Sequence, residues 1–116
     1  MKESVLLEKS YNFALRMIKL FKFLADEKQE YVLSKQLLRS GTSIGANIEE
    51  ANQAQSKADF IHKLSIANKE AFETNYWLRL LRDSDILTEK QAESLISDCE
   101  ELQKLLTASI KTSKNK

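Results

Sequence analysis

The sequence predicts an all-α fold: an antiparallel up-down-up-down four-helix bundle spanning residues 1–116 as one domain. Three observations carry this. Apolar residues recur at alternating spacings of three and four through four separate segments, the period of a helix face. Proline is absent, and the two glycines, Gly41 and Gly45, fall in one short stretch. The chain therefore has few places to turn tightly, which favours long helices over many short strands. The stretches between the periodic segments are only about four to six residues long, and connections of that length make neighbouring helices antiparallel.

The first helix is expected over residues 4–25. Leu7, Tyr11, Ala14, Ile18, Phe21 and Ala25 form one apolar row, and Leu6, Phe13, Met17, Leu20 and Leu24 form a second, interrupted at Ser10. Two adjacent rows make an apolar arc wider than one bundle seam requires, so part of it is expected to be covered by another subunit. Asp26-Glu27-Lys28-Gln29 is the expected connection.

The second helix is expected over 30–54, with Leu33, Leu37, Gly41, Ile44, Ile48 and Ala51 near heptad spacing. Gly41 and Gly45 each cost about 1 kcal/mol against alanine in a helix interior, and Arg39–Ser43 has turn-like composition. The periodicity nevertheless runs through this stretch, which predicts a continuous helix. Beside the apolar row runs a polar or small one: Gln36, Ser40, Ser43, Asn47 and Glu50. Its regularity predicts that it faces the interior or a subunit seam, with Glu73 and Thr74 as candidate partners and Arg39 neutralising a carboxylate. The glycines are expected to bring a neighbouring helix close enough for those bonds.

Ser56-Lys57-Ala58-Asp59 resembles a capping box and opens the third helix, expected over 57–82. Phe60, Leu64, Ala67, Ala71, Thr74, Leu78 and Leu81 form its core row. Thr88-Glu89-Lys90-Gln91 is a fuller capping box. It opens the fourth helix, expected over 89–111, with Ala92, Leu95, Cys99, Leu102 and Leu106 inward. The chain from Thr112 onward reads as a frayed tail.

Composition narrows the functional classes. The longest apolar runs are a few residues, far short of a membrane span, and a single cysteine permits no intrachain disulfide. A cytoplasmic protein without membrane partners is expected. Eighteen basic and 17 acidic side chains leave a net charge of +1, which gives no global attraction to nucleic acid or anionic lipid.

Catalysis finds little support. His62 is the only histidine. Asp59-Phe60-Ile61-His62 has the spacing of half a di-iron bundle site, but such a site needs the motif on two helices and two further carboxylates. Glu70 and Glu73 read as polar contacts of the helix surface or of a helix seam. Cys99, on an apolar row, reads as a small core residue. Gly41-Thr42-Ser43-Ile44-Gly45 lacks the spacing and lysine of a phosphate loop. No catalytic residue, metal site or cofactor is expected. Lys2, Lys9, Arg16 and Lys19 share a stripe of the first helix that could contact phosphates. Tyr76 and Trp77 are adjacent, so one must lie off the core row.

At Gln36-Leu37-Leu38-Arg39, Ser43-Ile44, Asn47-Ile48 and Glu50, continuing through Ser56, Phe60, Leu64, Ala67 and Glu73, the chain resembles the four-helix bundle family encoded in 23S rRNA intervening sequences. That family is itself similar to the accessory variability proteins of diversity-generating retroelements. The resemblance covers helices two and three. It implies a ring-like homopentamer, binding of structured RNA and, in the retroelement branch, of a reverse transcriptase. The polar row itself, with its candidate partners, makes Gln36, Arg39, Ser43, Asn47, Glu50 and Glu73 the expected structural or assembly motif. The chain departs from the pattern in lacking the proline before helix two, in carrying Ala51 where glycine is usual, and in being nearly neutral where the retroelement proteins are strongly basic. The expected function is that of a non-catalytic oligomeric bundle that binds RNA or a nucleoprotein; the alternative is a structural or protein-interaction bundle with no nucleic-acid role.

Overall fold

The computed structural model describes residues 2–116, with side chains from Val5 onward. It contains four helices: α1 (Lys2–Glu27), α2 (Leu33–Asn52), α3 (Lys57–Asp83) and α4 (Glu89–Lys114). They pack in a closed cycle in which α1 meets α2, α2 meets α3, α3 meets α4, and α4 returns to α1 along a thinner seam. Cross-helix pairs run in opposite numerical order. Glu50 meets Lys63 while Arg39 meets Glu70, and Lys9 meets Glu101 while Arg16 meets Asp98. Neighbours are therefore antiparallel, in a rod of 46 × 20 × 19 Å.

Each helix sends one stripe into a single core, and on α2, α3 and α4 it is the stripe its periodicity marked. Leu37, Ile44 and Ile48 of α2, Leu64, Ala67, Ala71 and Leu78 of α3, and Ala92, Cys99, Leu102 and Leu106 of α4 are buried. The two rows of α1 separate clearly. Leu6, Phe13, Met17, Leu20 and Leu24 are buried, together with the interrupting Ser10, whereas Tyr11 is 62% exposed and Ile18 38%.

Ser10 belongs to the buried row because α2 crosses there at close range. A Cβ on Gly45 would lie 3.4 Å from the Ser10 carbonyl and hydroxyl oxygens, and one on Gly41 would lie 2.4 Å from Met17 Cγ. The glycines thus bring α2 against α1. This corrects the expectation that they serve the polar row, which lies on the opposite flank of α2 toward α3. Helix α2 is continuous through both glycines.

Helix bounds differ from expectation where capping comes from unexpected groups. Helix α2 begins at Leu33 and not at 30. Gln29 has φ 53°, and the Glu30 carboxylate accepts from the backbone N–H groups of Val32, Leu33 and Ser34 (2.7–3.1 Å). Residues 30–32 therefore supply the cap, and α2 also stops at Asn52, short of 54. Helix α1 extends beyond 4–25 at both ends, and α3 runs one residue past 82. The tail expected to fray from Thr112 is helical to Lys114, where Lys111 and Lys114 complement the negative end of the helix dipole. Ser56 caps α3, and both reciprocal bonds of the Thr88–Gln91 box are present on α4.

The glycine pair gives a paired test. Gly41→Ala drives a methyl into the buried Met17 side chain and is expected to destabilise by about 1–3 kcal/mol. Gly45→Ala makes ordinary contact and recovers helix propensity, for a gain of up to about 1 kcal/mol. Chemical denaturation should give opposite signs for the two variants.

Candidate functional site

The polar row of α2 lies along the edge of the α2–α3 seam. Gln36 and Glu50 are exposed, Ser43 and Asn47 are half-buried, and Ser40 is fully buried. Two members turn back on their own helix: Ser43 Oγ donates to the Arg39 carbonyl (2.6 Å) and Asn47 Nδ2 to the Ser43 carbonyl (2.9 Å). Ser40 makes the one buried cross-helix link of the row, accepting from Thr74 Oγ1 at 2.8 Å. Thr74 was a candidate partner from the sequence, whereas the choice of Ser40 over its neighbours follows from its position 300° around the helix from Leu37, next to the core.

Outside this bond lies a charged bracket. Arg39 donates to Gln36 (3.5 Å), to Glu70 (3.2 Å) and to Glu73, and Trp77 Nε1 donates to the same Glu73 carboxylate (2.9 Å). Arg39 thus spans two carboxylates one helical turn apart, and the indole fixes the second. With Arg39 half exposed, solvent screening keeps its contribution modest. The bracket ties α2 to α3, with both carboxylates engaged by Arg39. Two to three turns further along the same seam, Glu50 accepts from Lys63 at 2.8 Å and holds the Lys63 ammonium above its ordinary pKa, first through that hydrogen bond and then through charge.

The basic stripe of α1 is largely occupied within the chain. Arg16 donates to the Asp98 carboxylate and to the Ser94 hydroxyl and carbonyl, and Lys9 pairs with Glu101 at 3.3 Å. These contacts close the α1–α4 seam. Lys19 is exposed, and the Lys2 side chain lies outside the described residues.

His62 is exposed on the second turn of α3, and among the described residues no group of three or more His, Cys, Asp or Glu could hold a metal. Cys99 is buried, and its thiol donates to the Ala71 carbonyl at 3.2 Å. Burial, reinforced by Glu100, pushes its pKa up to about 12, so the thiolate needed for nucleophilic chemistry is absent at neutral pH.

Two further surface features stand out, of which the sequence had marked only Tyr76, with Trp77, as a pair that could not both lie on the core row. One is an open groove of about 660 Å³ between α3 and α4, lined by residues including Phe72, Asn75, Arg79, Gln103, Lys104 and Lys111. The other is its aromatic margin, Phe72 at 57% exposure and Tyr76 at 48%. Tyr76 packs edge-on against Trp77, with ring centroids 5.2 Å apart. The spacing of Phe72, Tyr76 and Arg79 on one outward face of α3 was the available signal.

Taken together, the molecule is a four-helix bundle whose interior is packed and whose distinctive features lie on its seams and outer faces. The chain belongs to the 23S rRNA-intervening sequence protein family, whose model matches residues 2–108. Among solved structures, it is similar to a protein of unknown function from the S23 ribosomal protein family of Bacteroides thetaiotaomicron. The two share 58% identity and a TM-score of 0.94, over 96% of this chain and 99% of that one. No curated protein matches it. Among the described residues no helix is long and apolar enough to cross a membrane.

Thr74→Val leaves Ser40 without its cross-helix donor and is expected to cost about 1–3 kcal/mol in denaturant unfolding. Cys99 adds a pH dependence. Its folded pKa of about 12 lies above the ordinary thiol value of 9.0, so its contribution is complete below pH 9 and declines as the pH rises from there toward 12, where only the unfolded chain ionises. The stability gap between the native chain and Cys99→Ala should narrow by about 1 kcal/mol between pH 8 and pH 10.

Proposed function

We propose that this chain is a non-catalytic helical-bundle protein that assembles with copies of itself and binds RNA. The observation that carries the reading is the outer face of α1, where Tyr11, Leu15 and Ile18 are all exposed beside the half-buried Leu7, Ala14 and Phe21. A contiguous apolar stripe of this kind marks an interaction surface. A heterologous contact that closes into a ring buries it on every copy, and five copies is the number the family resemblance implies.

RNA as partner rests on the family, described by its link to 23S rRNA. A reverse transcriptase fits less well, because the chain is nearly neutral. The absence of catalysis is supported by the exposed lone histidine and by a thiol held protonated.

A specific observation favours a second reading, a bundle that contacts only proteins. Lys9 and Arg16, the centre of the phosphate-binding stripe expected from sequence, are paired with α4 carboxylates.

Light scattering at micromolar concentration is expected to give a multiple of the 13.3 kDa chain mass, and a monomer would overturn the assembly. Leu15→Glu with Ile18→Glu should lower that mass while leaving helicity intact. Gel retardation with a structured rRNA fragment separates the two partner readings: retardation supports RNA, and none at low salt supports the protein-only bundle.

A further inference from the structure

The α3–α4 groove combines three features of a strand-binding surface. Its wall presents Phe72, an aromatic ring more than half exposed on a helix whose other large apolar side chains mostly point inward. Its floor is a chain of amides: Arg79 Nε donates to Asn75 Oδ1 (2.9 Å), and Asn75 Nδ2 donates to Gln103 Oε1 (3.1 Å). That leaves the Gln103 amide nitrogen as a donor for a base edge. Its rim carries Arg79, Lys104 and Lys111 against the single carboxylate of Glu100. Among the described residues neither Lys104 nor Lys111 has an ion-pair partner, in contrast to Lys9 and Arg16. Three cations thus face one carboxylate in this groove, in a protein whose net charge is only +1.

The dimensions choose among ligands. Lys104 and Lys111 lie two helical turns apart on α4, about 10 Å. Arg79 continues the line from the facing helix toward the Glu100 end. Cations spread over that length suit successive phosphates of an extended chain, while a mononucleotide engages only one of them. Aromatic faces beside a cationic track are the general means of holding single strands without sequence preference. The Arg79 guanidinium already lies 5.8 Å from the centre of the Tyr76 ring, and Tyr76 follows Phe72 by one turn, so a second stacking surface continues the first.

We propose that the α3–α4 groove binds a single strand of RNA, with a base stacked on Phe72, base edges met by Asn75 and Gln103, and phosphates held by Arg79, Lys104 and Lys111. This rests on the RNA-binding function proposed above and moves its contact surface from the α1–α4 seam to the neighbouring α3–α4 face.

The test is fluorescence anisotropy of fluorescein-labelled decauridylate with the full chain at low salt. Binding is expected, with a slope of log affinity against log salt of about −2, as three phosphate contacts on a single strand give. Phe72→Ala should weaken it about tenfold. The Lys104→Glu/Lys111→Glu variant should weaken it further and bring the slope to about −0.7. Lys19→Glu, on α1, should leave it unchanged. All four substituted residues are solvent-exposed, so circular dichroism should confirm unaltered helicity.

If the native chain binds neither decauridylate nor a structured rRNA fragment, this proposal and the broader RNA reading fall together. If it binds the structured fragment alone, or if Lys19→Glu weakens binding while the groove variants do not, the broader reading stands and the groove assignment is overturned. A Phe72→Ala variant that loses assembly mass in light scattering but keeps its RNA affinity would make the groove a subunit contact and likewise overturn it.

Discussion

The close crossing of α1 and α2 is the constraint from which the rest of the bundle's geometry follows. Gly41 and Gly45 present bare backbone to Met17 and Ser10, and this contact decides which of the two apolar rows of α1 enters the core. Once Leu6, Phe13, Met17, Leu20 and Leu24 are inside, the row through Tyr11 and Ile18 must face outward. At Gly41, where a methyl has no room beside Met17, the glycine cost in helix propensity is offset by that close packing. The same rotation places Arg16 and Lys9 over α4, where their carboxylate partners close the cycle of helices.

The α2–α3 seam complements this crossing. Apolar packing alone tolerates sliding of one helix along another, whereas a shift of one residue would break the buried Ser40–Thr74 bond and leave each hydroxyl only the carbonyl of its own helix, Leu37 for Ser40 and Glu70 for Thr74. Arg39, bridging Glu70 and Glu73, adds an outer clasp at the same level. Such a buried polar pair contributes more to a unique register than to net stability.

The four helices and three of the four core stripes were legible in the sequence because burial alone sets a period of three to four, and every inward position of α3 and α4 obeys it. The α1 core row was ambiguous, since two apolar rows compete and the buried one contains the polar Ser10. Only the position of Gly45 resolves it, and that is a contact between helices. The α2 start was missed because its cap is a carboxylate, Glu30, behind a glutamine in a left-handed conformation, and neither residue type signals that role. Of the six residues expected to form one motif, Arg39 brings together Gln36 and Glu73, while Ser43 and Asn47 bond their own helix; Ser40 could not be set apart from its neighbours without knowing where α3 lies. The groove was illegible for a similar reason. Phe72 and Tyr76 belong to one helix, but Gln103, Lys104 and Lys111 join them only when α4 packs alongside.

The up-down-up-down order has an architectural consequence. Lys57 Nζ donates to the Lys116 carbonyl at 2.6 Å, so the start of α3 and the close of α4 share one end of the rod, and the antiparallel pairing of α1 with α4 brings the start of α1 to the same end. Anything joined to either end of the sequence emerges there, as would a short linker joining the two to make a circular permutant. The far end, with the Lys28–Val32 and Ser84–Thr88 connections, stays clear of any such attachment. Its exposed Tyr31 and Val32 therefore remain accessible in tagged, fused or permuted forms of the chain.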